Sequence, residues 1–372
     1  MTRVPLLPRY GEAALSDLLP SVLGALGVAG ESDVLGLPPA RQYCVLLIDA
    51  LGWRLLQAHP AQAPFLSSLT GRAITAGVPT TTAVSLASLG TGLPPGRHGI
   101  VGYTSRTPGD TALFNALRWE PQLDPEAYQP HPSLFQRAAR AGVETTVVGE
   151  GKFRESGLTR AAMRGPFRVA NTFGQRIAAA ADAVAGAGSG LVYVYDGDLD
   201  YTGHQHGCSS AAWRHQLAMT DRFVEELYDQ LPSGTALVVT GDHGMVDVDP
   251  ERRVDVDDVP ALRDGVALVA GEARFRHVYT TDASAAEDVA AAWRGVLGER
   301  ASVLTRGAAV EAGWFGAVEG RVLERLGDVV VSVDGDCAVE RRSVFPVEGK
   351  LRGLHGALTE DELLVPLLVG EA

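Results

Sequence analysis

The chain has 372 residues, enough for one large α/β domain or two ordinary ones. It is 46% hydrophobic and carries 43 glycines, which suits a turn-rich core and is not the composition of a low-complexity chain. A net charge of −13 argues against nucleic acid as the main partner, because a phosphate backbone demands a basic face.

That charge leaves room for a small phosphate substrate, since bound divalent cations reverse the field locally. Cys44, Cys208 and Cys337 form no C-x-x-C pair and read as reduced thiols of a cytoplasmic protein. Met1 to Tyr10 has two arginines and no apolar signal segment. No run approaches the roughly 18 apolar residues of a membrane helix, so no membrane contact is expected.

Residues 1 to 40 read as a preamble. Ala13 to Leu26 has helical apolar spacing, and Pro20 within it predicts a kink or two short helices. Tyr43 to Ile48 is the first buried-strand pattern, and it ends in Asp49. Open α/β sheets place their chemistry just past the carboxyl ends of strands. The competing reading of Asp49 is an N-cap for a helix from Trp53 to Ala58. A short helix over Ala63 to Leu69 and a strand over Ala73 to Val78 follow. Pro79-Thr-Thr-Thr82 then leads into a helix over Ala83 to Leu89, with Thr82 at its N-cap. A hydroxyl there faces free N–H groups and the positive end of the dipole, which favours an alkoxide and binds phosphate oxygens. Simple capping is the commoner role of such a threonine.

Leu134 to Ala141 and Ile177 to Ala187 read as helices, Glu144 to Val148 and Leu191 to Tyr195 as strands. Behind Tyr195 lie Asp196, Asp198, Asp200, His204 and His206 in quick succession. Asp200 and His204 are four apart, so one helical turn brings them to the same side. Asp196 and Asp198 read as solvated loop acids. His206 reads as exposed or as orienting a ligand, and His98 as fastening a turn. Trp213 to Leu231 is a helix. Ala236 to Val239 is a short buried strand stopped by Thr240-Gly241, and Asp242 and His243 come straight after it.

From Asp247 to Lys350 the pattern changes, with strands at Arg274 to Tyr279, Ser302 to Val310 and Asp328 to Val333. A helix over Ala285 to Leu297 has Ser284 as its N-cap. This reads as a small α/β insert, 247–350, beside a core formed by 1–246 and 351–372. The chain returns through His355, between glycines, to a closing strand over Leu363 to Val369.

Asp49, Asp200, His204, Asp242, His243 and His355 are all metal-ligand types, and Thr82 is a nucleophile. Their motifs are Leu-Ile-Asp49-Ala-Leu-Gly, Pro-Thr-Thr-Thr82 with the later Pro-Pro-Gly-Arg-His98-Gly, Asp200-Tyr-Thr-Gly-His204, Thr-Gly-Asp242-His243-Gly and Gly-Leu-His355-Gly. In this order they resemble the alkaline phosphatase superfamily, in its nucleotide pyrophosphatase/phosphodiesterase branch, from Tyr43 to Leu368. The resemblance implies an alkaline phosphatase-like three-layer sandwich with a mostly parallel central sheet. It implies two divalent metal ions, with ligand types that suit Zn2+. Asp200, His204 and His355 would hold one. Asp49, Asp242, His243 and the Thr82 hydroxyl would hold the other.

Such a site answers a chemical problem. A phosphodiester is anionic and resists attack by an alcohol. One metal lowers the pKa of the Thr82 hydroxyl and the other stabilises the leaving oxygen. A covalent threonine ester then forms and water hydrolyses it. The family often has Asn where Ser85 stands, to aid the phosphate oxygens, and Phe where Ala83 stands. Tyr195 matches the place of a base-stacking aromatic, although a strand tyrosine is more often core. Ser85 and Tyr195 are therefore the candidate substrate contacts.

The expected function is metal-dependent hydrolysis of phosphodiester or pyrophosphate bonds in a small phosphate ester, a nucleotide being one candidate. The alternatives are a phosphomonoesterase or phosphomutase on the same metal core, or a non-catalytic protein braced by metals. Sulfatase chemistry is disfavoured, because no cysteine has a C-x-P-x-R setting. Nothing in the sequence signals an oligomeric state.

Overall fold

The apolar runs become strands of one seven-stranded sheet in the computed structural model, which describes residues 6–186, 188 and 190–371. In chain order the main strands are β1 (Gln42–Ile48), β2 (Thr70–Thr75), β3 (Glu144–Gly149), β4 (Phe167–Val169), β5 (Gly190–Asp196) and β6 (Thr235–Thr240), then β7 (Val266–Glu272), β8 (Phe275–Thr280), β9 (Ala301–Thr305) and β10 (Val329–Val333), and finally β11 (Leu364–Glu371). The large sheet runs β2-β11-β6-β1-β5-β3-β4. Strand β1 pairs in parallel with β5 and β6, β5 with β3, and β3 with β4. Strand β11 alone runs against its neighbours, β6 and β2.

Strands β1, β5 and β6 are buried almost throughout, which is why they read as continuous apolar runs rather than as alternation. Their side chains alternate between two cores. Tyr43, Val45 and Leu47 pack with α1 (Leu18–Ala25), α2 (Thr82–Thr91) and α3 (Leu134–Arg140). Cys44, Leu46 and Ile48 pack with α4 (Phe173–Ala185) and α6 (Ala211–Gln230) on the other face. The result is three layers. Helix α5 (Asp198–His206) follows directly on β5. The register sets Ile48 opposite Asp196 and Leu47 opposite Thr240, so the carboxyl ends of the three central strands lie in one row.

Strands β7 to β10 form a separate antiparallel sheet, ordered β7-β8-β10-β9, with α7 (Ala286–Leu297) packed on it through Val289, Trp293 and Leu297. Buried polar ties hold it to the core. The Arg274 guanidinium meets the Glu362 carboxylate with two bonds of 2.8 Å. His277 donates from Nε2 to the Val101 carbonyl at 2.7 Å and accepts at Nδ1 from the Gly327 N–H at 3.1 Å. Burial holds that imidazole down to about 4, so it is a neutral clamp.

The helix pattern around Pro20 is two short helices, as its proline implied: a 3-10 turn, Leu15–Asp17, then α1, with Pro20 in its first turn. Other elements differ from the sequence reading. The second strand is Thr70–Thr75 rather than 73–78, because its partner β11 pairs with those six residues. The stretch 302–310 divides after Thr305, whose extended backbone starts a helix over Arg306–Glu311. Asp282, not Ser284, caps the turn before α7. The three-residue β4 was too short to read. Ala187 and the first five residues of the preamble lie outside the described residues. Among those described, no helix is long and apolar enough to cross a membrane.

Candidate metal centre

Four backbone devices bring distant residues to the carboxyl edge of the sheet. Asp49 follows directly on β1, β6 turns into Asp242 and His243, and β5 feeds α5, which carries Asp200 and His204 on successive turns. The fourth is the loop after Leu354, which brings in His355. Asp49 does not cap the following helix; that position belongs to Gly52. Gly244 is required by close approach, since a Cβ there would lie 1.9 Å from the Asp361 carbonyl oxygen. Helix α2 begins at Thr82 itself, and the N-cap is the extended Thr81, one residue earlier than the sequence suggests.

Thr82 Oγ1 lies 3.3 Å from Asp49 Oδ2 and 3.3 Å from His243 Nε2. His243 Nε2 is 3.5 Å from Asp49 Oδ1 and 3.4 Å from Asp242 Oδ2. His204 Nε2 is 3.3 Å from Asp200 Oδ1, and His355 Nε2 is 3.9 Å from the same oxygen. The His243 and His355 rings stack at 3.7 Å. Ligand-capable atoms of Asp49, Asp242 and His243 fall within 4.8 Å of one another, and so do those of Asp200, His243 and His355. His243 therefore sits between the two groups, and His204 flanks the second through Asp200.

Each imidazole is oriented the same way. Nδ1 of His204, His243 and His355 faces the carbonyl of Gly353, Gly244 and Thr80, at 2.8, 2.9 and 2.8 Å. With the proton fixed on Nδ1, Nε2 is left as a lone-pair donor aimed into the site. Asp242 Oδ1 is held by the N–H groups of Ala50 and His243, both at 3.0 Å.

The carboxylates are crowded and under-satisfied. Among the described residues none hydrogen-bonds Asp49 Oδ1, Asp200 Oδ1 or Asp242 Oδ2, although all three atoms are buried. Burial pushes the Asp49 carboxyl well above the usual range, and Asp242 and Asp200 push it further; the Tyr195 hydroxyl opposes them. Burial also raises Asp200, against the pull of His204 and His243. His355 is held well below an ordinary histidine, first by burial and then by His243 and His204. Buried acids of like sign with free oxygens, facing imidazole nitrogens, are a donor set for cations. The residues fit divalent metals.

Other residues settle elsewhere. Ser85 is fully buried, and its hydroxyl donates to the Asp242 carbonyl at 2.6 Å. Its expected phosphate contact is thus replaced by a bracing role for the Asp242 turn. Tyr195 donates its hydroxyl to Asp49 Oδ2 at 2.5 Å, and its ring lines the smaller cleft. Asp196 is not a solvated acid. It is fully buried on Arg176 at 2.7 Å, and burial lifts it to about 7 despite that guanidinium. Asp198 and His206 are exposed, and His98 is buried between the Ser88 hydroxyl and the Ile100 N–H.

Sequence reasoning missed Thr80, which holds His355 by its carbonyl, receives the Gly356 N–H on its hydroxyl and donates to the Ala357 carbonyl. The run of three threonines was a signal that more than one had a task. It also missed Glu362, which ties the His355 loop through Ala357 and Thr359.

Two clefts meet at Thr82 and Asp200. One, about 280 Å³, is walled by apolar and aromatic side chains including Leu86, Phe153, Met163, Tyr193 and Tyr195. The other, about 710 Å³, lies against the second sheet and includes Tyr103, Glu272, Phe345 and Val347.

Comparison with known proteins gives the family and the fold. The family model for type I phosphodiesterase / nucleotide pyrophosphatase matches residues 43–358. Among solved structures, murine ectonucleotide pyrophosphatase / phosphodiesterase 5 superposes with a TM-score of 0.69 at 17% identity, over 87% of each chain. The human counterpart gives 0.68 at 16%, over 88% of this chain and 87% of that one. An inactive threonine-to-alanine variant of the murine protein, in complex with AMP, gives 0.68 at 16%, over 87% of each. No curated protein matches the chain by sequence.

Proposed function

The chain belongs to the type I phosphodiesterase / nucleotide pyrophosphatase family and is a metal-dependent phosphodiester hydrolase; from that premise we propose which of its residues do the work and on what. Thr82 is the nucleophile. Asp49, Asp242 and His243, with the Thr82 hydroxyl, hold one divalent cation, and Asp200, His204 and His355 hold the other. The donor set of aspartate oxygens and histidine nitrogens favours zinc. When bound, these ions supply the positive charge that favours a threonine alkoxide and offsets the charge on the phosphate.

The Thr82 oxygen attacks phosphorus in line, and the phosphorus–oxygen bond to the leaving group breaks on the opposite side. A threonine phosphoester remains. Water then attacks it, and Thr82 leaves with its oxygen and regains a proton. The first turn of α2 aims N–H groups and the positive end of its dipole at the same phosphate. Asp49 Oδ2 lies within hydrogen-bonding reach of the Thr82 hydroxyl and steers its proton away from the phosphorus.

A nucleotide is the substrate class this reading favours. A related structure holds AMP, and the aromatic wall of the smaller cleft suits a flat base. A cytoplasmic location is part of the reading, supported by three buried, unpaired cysteines. The observation that carries the whole is the set of three buried carboxylate oxygens left without partners around one threonine.

The test is a rate comparison on zinc-loaded protein between a p-nitrophenyl phosphodiester and the corresponding monoester. The diester should turn over faster, and Thr82→Ala should lower that rate by about a thousandfold or more with metal content unchanged. A faster monoester would make the protein a phosphomonoesterase. No turnover of either would favour a mutase or a metal-braced protein.

A further inference from the structure

Glu272 is the last residue of β7, at the edge of the second sheet that borders the larger cleft. Its side chain is 4% exposed and lines the larger cleft together with Thr82, Asp200 and His355. Oε1 accepts the Tyr103 N–H at 2.7 Å. Oε2 is buried and has no partner within hydrogen-bond geometry among the described residues. The Thr81 hydroxyl is close enough to favour the ionised carboxyl, yet it does not reach hydrogen-bond geometry with Oε2. Arg276 is committed to Glu348, the Val339 carbonyl and the Gly271 carbonyl. The Tyr103 hydroxyl also donates to Glu348, at 2.9 Å. Beside Oε2 lies Gly102, where even an added Cβ would stand 3.6 Å off and donate nothing.

A buried carboxylate oxygen without a donor is costly, and a folded protein that keeps one beside its reaction centre has a use for it. The metal centre does not supply that use, because Glu272 belongs to neither ligand group. The cleft is also too large for the phosphate alone. Thr82 and Asp200 border both clefts, so a phosphate held there has one ester arm in each.

We propose that Glu272 Oε2 is a specificity-determining acceptor for the second arm of the diester, selecting substrates that carry a hydrogen-bond donor, a hydroxyl or an ammonium, a few bonds from the phosphate. This rests on the hydrolase reading and extends it: the smaller cleft sorts one arm by apolar contact, and the second sheet sorts the other by a single buried carboxylate. Apolar arms of the same length occupy the cleft and leave Oε2 unpaired, and they are rejected for that reason. The role assigned to the second sheet is therefore substrate selection rather than cover.

Three p-nitrophenyl diesters test it, with 2-hydroxyethyl, 2-aminoethyl and propyl as the second arm. Wild-type zinc-loaded protein should show kcat/KM about ten- to a hundredfold higher for at least one donor-bearing arm than for propyl. Glu272→Leu should erase that preference. Glu272→Gln keeps an acceptor and loses the charge, so it should spare a hydroxyl preference and remove an ammonium preference, which distinguishes the two donors. Equal kcat/KM for all three diesters in the wild type would overturn the proposal without a variant being needed. So would a preference that survives Glu272→Leu in protein whose melting temperature shows it folded. If the wild type hydrolyses none of these diesters and no bis-p-nitrophenyl phosphate, the hydrolase reading itself fails and takes the subsite with it.

Discussion

Tyr195 donates its phenolic proton to Asp49 Oδ2 at 2.5 Å, and the Thr82 hydroxyl approaches the same oxygen at 3.3 Å. One carboxylate oxygen thus joins the wall of the smaller cleft to the nucleophile. The bond from Tyr195 stabilises the ionised form of Asp49 against the burial and like charge that raise it.

Tyr195→Phe should therefore weaken zinc binding, by about tenfold, since loss of a partner that supports a ligand typically costs that much. The loss should be larger at pH 6 than at pH 8, because an unsupported Asp49 keeps its proton longer. Competition with a chromophoric chelator at both pH values gives the two affinities. Affinities equal to wild type at both would mean that the Tyr195 hydroxyl does nothing for the ligand.

Metal and proton compete at this centre. Asp49 and Asp200 are both raised in the metal-free fold. Each contributes stability that is complete below about pH 3.9, the unfolded value, and fades as pH climbs through the raised folded value. His355 is lowered, so its contribution runs the other way: complete above about pH 6.5 and lost as pH falls through the depressed value. His355 is held toward the form a metal needs, so protons compete with the metal through the carboxyls, which bind them more readily than ordinary aspartates do. The rise in melting temperature on adding zinc should accordingly be several degrees greater at pH 8 than at pH 5.5. Thermal scans with chelator and with zinc measure it, and an equal rise at both would argue that the carboxyls are bare before metal arrives.

His355 is the ligand whose loss should be most selective. It belongs with Asp200 and His243, and the loop that carries it is anchored independently through Thr80 and Glu362. His355→Ala should leave the fold intact, reduce zinc content from two to about one per chain, and lower diester turnover by about a hundredfold or more. Metal analysis after gel filtration, paired with the rate, decides it. Two retained zincs at full activity would remove His355 from the site.

Which parts of this were legible depends on how far away each partner lies. Asp49 and the Asp242-His243 pair stand directly behind buried apolar strands, so pattern and position point at them together. Asp200 and His204 share a helical face four residues apart, and α5 forms where that spacing puts it. Ser85 was misread because its real partner, the Asp242 carbonyl, is 157 residues away in sequence. Asp196 was misread as solvated because the guanidinium that buries with it projects from α4. Thr82 was placed one residue out because three successive threonines cap equally well on paper, and only the extended backbone of Thr81 chooses among them. Strand β2 was displaced because three of its six residues face solvent, so apolar content marked the wrong stretch. Glu272 ends a strand of the second sheet, and what sets it apart is an oxygen with no hydrogen-bond partner among the described residues, which no motif records.

The Arg274–Glu362 pair shows how the second sheet could act on the metal centre without touching a metal. Both side chains are fully buried, and Glu362 also receives the Ala357 N–H at 2.9 Å and the Thr359 hydroxyl at 2.5 Å, within the loop that follows His355. Arg274→Met leaves that carboxylate buried without its counter-charge and should cost about 3–5 kcal/mol, read from the shift of the urea midpoint. Replacing both, Arg274→Met with Glu362→Leu, should return much of the stability, because two apolar side chains pack where two charges had to be desolvated. It should not return zinc affinity, since the Ala357 N–H and the Thr359 hydroxyl still lack their acceptor and the His355 loop stays loose. Recovery of stability and affinity together would reduce the pair to a structural tie. Recovery of stability alone would show that the second sheet positions a metal ligand through a carboxylate the metal never meets.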